Sequence, residues 1–70
     1  MSLSMVSIGE TRVVSELRGK DDMKRHLQDI GLVKGEKVQV VGENQSGIIL
    51  LVKGVKIALN RGLATRIIVE

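Results

Sequence analysis

The sequence predicts a mainly β domain: about five short strands curled into a small barrel, with one short helix and one 3₁₀ turn. Three observations point there. Apolar runs of strand length recur at close spacing, separated by turns rich in glycine, asparagine and serine. A two-residue turn, Lys53-Gly54, joins two runs whose apolar residues oppose one another in a single register. One helical repeat interrupts the β pattern, in "DDMKRHLQDIG", and it stops at a glycine.

Thr11–Leu17, "TRVVSEL", forms the first strand, with either Val13 or Val14 facing inward, and "RGK" turns the chain. In the helix, Asp21 or Asp22 supplies the N-cap, because a carboxylate there accepts a bond from a free backbone N–H. Met23, Leu27 and Ile30 fall at i, i+4 and i+7 on one face, and Lys24, Arg25 and Gln28 fall on the other. Gly31 suits the left-handed residue that ends a helix, after which Leu32 packs back on Leu27 in a Schellman ending. Gly35 permits the next turn, and Val38 and Val40 begin an alternating strand.

"VGENQSG" joins this strand to the next as a longer loop. "IILLV", Ile48 to Val52, is apolar on both faces. The Lys53-Gly54 turn pairs Val52 with Val55, Leu50 with Ile57 and Ile48 with Leu59, all aliphatic and all on one face. Ile49, Leu51, Lys56 and Ala58 take the other. Asn60 caps a single 3₁₀ turn with Leu63 and Ala64 beneath it. "TRIIVE" closes the chain, Ile67 and Val69 on one face and Ile68 on the other. A 3₁₀ turn before the last strand is the habit of SH3-like barrels.

At 70 residues the chain makes one small domain, in which ordering costs of about 1.5 kcal/mol per residue nearly cancel the return from the core. There is no cysteine, so disulfides and thiolate metal sites are excluded, and the fold rests on aliphatic packing or on another chain. No apolar run approaches the roughly 18 residues of a membrane span. The "MSLSMVSIG" opening is too short and too weakly basic for a signal peptide. These features lead us to expect a soluble cytoplasmic protein. The formal charge of +3 comes from Lys and Arg scattered among Asp and Glu. Without Phe, Tyr or Trp the base-stacking platform of single-stranded nucleic-acid binders cannot exist, so nucleic acid is a poor fit as partner.

The segment "LQDIGLVKGEKVQVV", with Leu27, Gly31, Leu32, Gly35, Val38 and Val40, resembles the Leu-x-x-x-Gly-Leu-x-x-Gly segment and following strand of the ferrous iron transport protein A (FeoA) family. The segment "VKIALNRGLATRIIVE", with Ile57, Ala58, Leu59, Ala64, Ile67 and Val69, is similar to that family's second motif. The likeness runs from about Val6 to the end. The family commonly has Pro where this chain has Lys34; its absence bears on the stiffness of the turn rather than on the family. The resemblance implies an SH3-like barrel and a non-enzymatic cytoplasmic accessory protein of bacterial ferrous iron uptake. Its expected partner is the FeoB-type membrane permease. Two alternatives are the C-terminal type of interaction domain found in metal-dependent repressors and a basic nucleic-acid-binding barrel.

Candidate sites are few. His26 is the single histidine, with Asp22 and Asp29 nearby; it is a weak metal ligand candidate, and ferrous iron or another divalent metal finds no obvious ligand cluster. No nucleophile has a recognisable base, and "GENQSG" lacks the Gly-Lys-Ser/Thr ending of a phosphate loop, so catalysis is not expected. Ile49, Leu51 and Ile68, if uncovered, make an apolar contact patch that also suits a homo-oligomer through a paired edge strand. Lys24, Arg25, Lys34, Lys37, Arg61 and Arg66 make one positive side if they gather. The contact surface for a partner is expected at Lys24, Arg25 and Gln28 of the helix with Leu32, Val33 and Lys34 of the loop.

Overall fold

A computed structural model describes all residues from Met1 to Glu70. A 3₁₀ turn, Leu3–Met5, precedes strand β1, Thr11–Leu17, and helix α1, Asp21–Asp29. Strands β2, Lys37–Asn44, β3, Gly47–Val52, and β4, Val55–Asn60, follow; a one-turn helix α2, Arg61–Ala64, leads to β5, Ile67–Val69. The five strands form one antiparallel sheet in the order β4-β3-β2-β1-β5. The sheet curls so that its end strands β4 and β5 lie at the two sides of α2, which joins them in the chain. No helix is long and apolar enough to cross a membrane.

The inward faces meet in an all-aliphatic core to which every strand and all three helical segments contribute, with Leu3, Leu27, Leu32, Leu50 and Ile67 fully buried. Val14, not Val13, is the buried residue of β1. The β3–β4 hairpin has the expected register, Val52↔Val55, Leu50↔Ile57 and Ile48↔Leu59. Its two turn residues, Lys53 and Gly54, both have positive φ, 51° and 78°, as a type I′ turn demands. The expectation that all six paired residues are inside fails at Val55, which is 59 % exposed because the hairpin end projects past the core.

Three local expectations are corrected. Lys20, extended and without a side-chain capping bond, is the N-cap of α1; Asp21 and Asp22 lie inside the first turn, where they face the positive end of the helix dipole instead. The "VGENQSG" connection is not a long loop, since β2 runs on to Asn44 and β3 starts at Gly47. A bulge between Val40 and Gly42 keeps the strands paired, and Asn44 Oδ1 accepts from the Ser46 and Gly47 amides to close the turn. A Cβ on Gly47 would stand 2.7 Å from Asn60 Cα, so β3 and β4 approach there only because the residue is glycine. The segment after Asn60 is an α-turn, with the Thr65 amide donating to the Arg61 carbonyl at 3.0 Å; the 3₁₀ turn lies at Leu3–Met5 instead. Asn60 is its cap, as expected, accepting from the Leu63 amide at 2.8 Å.

Met1 to Ser4 are part of the fold. The Val69 amide donates to the Met1 carbonyl at 2.7 Å, Ser2 bridges Ile68, and Leu3 is in the core. This segment covers the outer edge of β5.

Candidate functional site

β1 changes partners along its length. Thr11 to Val13 pair with β2, and Val14 is held by the start of that strand's approach: the Val14 amide donates to the Glu36 carbonyl at 2.9 Å and the Gly35 amide donates to the Val14 carbonyl at 2.7 Å. A bulge follows between Val14 and Glu16. There the Ser15 hydroxyl donates to the Ile68 carbonyl at 3.1 Å. Glu16 and Leu17 then pair only with β5. On the side away from β5, Ser15 to Leu17 have no strand beside them.

That open side is the floor of a groove. Its lining is Ser15, Glu16 and Leu17 from β1, Lys24 and Gln28 from α1, and Lys34 from the loop before β2. The helix delivers Lys24 and Gln28 together because they are one turn apart, at i and i+4. The Schellman ending delivers Lys34: the Gly31 amide donates to the Gln28 carbonyl at 3.0 Å, the Leu32 amide to the Leu27 carbonyl at 2.9 Å, and Gly31 has φ 102°. The Glu36 amide donating to the Val33 carbonyl at 3.0 Å, with Gly35 at φ 92°, ties the loop without a proline.

The charges in the groove are unequal in status. Glu16 is engaged by Arg18, Oε2 to Nε 3.1 Å. Neither Lys24 nor Lys34 has a carboxylate within 4.0 Å, and Lys24 is half-buried. Two ammonium groups therefore face the groove without an anionic partner.

Of the residues expected at a contact surface, Lys24, Gln28 and Lys34 line this groove, and Arg25 and Val33 are exposed beside it in the chain. Leu32 does not belong: it is fully buried, because the helix ending turns its side chain inward. His26 is exposed, and no three His, Asp or Glu side chains anywhere in the chain come together as metal ligands. Ile49, Leu51 and Ile68 are each half-buried, and β3 and β5 are separated in the sheet by β2 and β1, so Ile68 does not adjoin the other two in the strand order. The six basic residues have different surroundings: Arg61 is paired with Glu43 at 3.4 Å, and Lys37 opposes Val13 at the start of β2.

Ser15, Glu16 and Leu17 were not expected at a site. Their signal is in the spacing: Val14 and Leu17 are three apart, so both can turn inward along one strand only if an extra residue is accommodated between them. A second unanticipated feature pins the entry to β1. Glu10 accepts from the Ser7 amide at 3.1 Å and from Arg12 Nη2 at 2.7 Å. The Ser7 amide foremost, and then the Arg12 guanidinium, hold its carboxyl below the ordinary value.

A family model described as the FeoA domain matches residues 1–70. A protein of Methanocaldococcus jannaschii named for Fe(2+) transport protein A is 31% identical over 68 residues, covering 97% of this chain and 83% of that one. The crystal structure of an iron uptake regulatory protein, FeoA, superposes with a TM-score of 0.93 at 31% identity, covering 100% of this chain and 95% of that one. The FeoA of Stenotrophomonas maltophilia, a prokaryotic SH3 domain protein crystallised with zinc, has a TM-score of 0.80 at 30% identity over 100% of this chain and 89% of its own.

Proposed function

This chain belongs to the FeoA family of ferrous iron transport, and we propose that it is a non-enzymatic adaptor that docks on the cytoplasmic part of the FeoB-type permease and regulates uptake. The observation that carries the reading is the convergence of Lys24, Gln28 and Lys34 on one groove, presented by a helix and a loop joined through hydrogen bonds at the helix ending. The proposed contact surface is that groove with Arg25 and Val33 at its margin. In this reading ferrous iron is the transporter's cargo and needs no resident site here.

The test is binding to the cognate permease in nanodiscs, with the isolated G-protein domain measured beside it. Saturable binding is expected, and the double variant Lys24→Glu, Arg25→Glu should weaken it about ten-fold or more while leaving the thermal midpoint within a few degrees. An unaltered affinity in the double variant would remove this surface. No binding in any nucleotide state would remove the adaptor reading.

A further inference from the structure

We infer that the groove between β1 and α1 takes an extended, acidic segment of polypeptide, laid along the open side of Ser15–Leu17 with carboxylates toward Lys24 and Lys34. The inference deepens the docking reading and rests on it for the identity of the protein that carries the segment.

Two independent features select this ligand. The first is charge. Of the charged residues in the groove, Glu16 is already matched by Arg18, and the two lysines are matched by nothing. A guest that supplies two carboxylates completes the set, and Gln28 adds a neutral hydrogen-bonding side chain to the same lining. The second is backbone. Over Ser15 to Leu17, β1 is paired on its β5 side alone, while its other side is vacated where Gly35 and Glu36 end the contact with Val14. An extended peptide can use such an edge through main-chain bonds, as in strand addition. A nucleic acid or a lipid headgroup could use the lysines but not the edge. The bulge at Ser15 has a part in this, since the Ser15 hydroxyl donates to the Ile68 carbonyl and is occupied on the β5 side.

The experiment is an amide chemical-shift titration of the full chain, labelled with nitrogen-15. The probes are an acetylated, amidated octapeptide of alternating threonine and glutamate and its glutamine counterpart. The glutamate peptide should move the amides of Ser15, Glu16, Leu17, Gln28 and Lys34 in a saturable way. It should bind about ten-fold more tightly than the glutamine peptide at low salt, the gap closing as salt is added. Lys24→Glu with Lys34→Glu should remove that preference, while Arg61→Glu, which alters net charge away from the groove, should preserve it. Shifts elsewhere, equal affinity for the two peptides, or the same shifts from inorganic phosphate alone would each overturn the inference. Permease binding separates the two readings. Peptide in the groove without permease binding leaves this inference standing and the docking reading fallen. Permease binding without peptide in the groove does the reverse.

Discussion

The Leu32 amide donates to the Leu27 carbonyl at 2.9 Å across the left-handed Gly31, and both leucine side chains are fully buried. This one junction ends α1, fixes where the loop leaves it, and sets Lys34 beside Lys24 and Gln28.

Gly31→Ala and Leu32→Ala should therefore damage the same junction for different reasons. A Cβ at Gly31 would lie 3.6 Å from Val52 Cγ1, an ordinary contact, so the cost is conformational, about 1–2 kcal/mol. Leu32→Ala empties a core position and should cost about 2–5 kcal/mol. Urea midpoints measure both, and a Leu32→Ala protein of unchanged stability would contradict its place in the core.

The two α-helices have unlike starts. Asn60→Ala removes the acceptor for the Leu63 amide and should cost about 1 kcal/mol. Lys20 occupies the N-cap of α1 with extended backbone, φ −73° and ψ 157°, and no capping bond. Lys20→Ser should supply one and raise stability by about 0.5–1 kcal/mol in thermal or urea unfolding.

Glu10 gives stability a pH dependence of known sign. Its folded value lies below the ordinary 4.5, so its contribution is complete above that value and is lost as the pH falls through the lowered one. Glu10→Gln cannot lose what it no longer titrates. The stability difference between the native chain and Glu10→Gln should therefore shrink on acidification below pH 4.5, read from urea midpoints at a series of pH values. A difference that stays constant would show that the Ser7 and Arg12 bonds do not act through the charge.

Several elements follow from local chemistry alone. β1 runs from Thr11 to Leu17, Gly31 ends the helix, and Lys53-Gly54 selects one hairpin register, because in each case a few neighbouring residues admit one solution. The family motifs were equally legible, since most of their residues are those same turns and core positions. Tertiary structure decided the rest. Whether Val13 or Val14 is inside depends on which strands β1 meets. Leu32 left the contact surface because a helix ending needs its side chain in the core, and Val55 left the core because a hairpin can outrun the layer it packs on. The groove itself was invisible in the sequence order. Its floor is created by β1 leaving β2 for β5 at a bulge, and its walls come from residues seven to nineteen positions further along the chain, brought across by packing that no local pattern specifies.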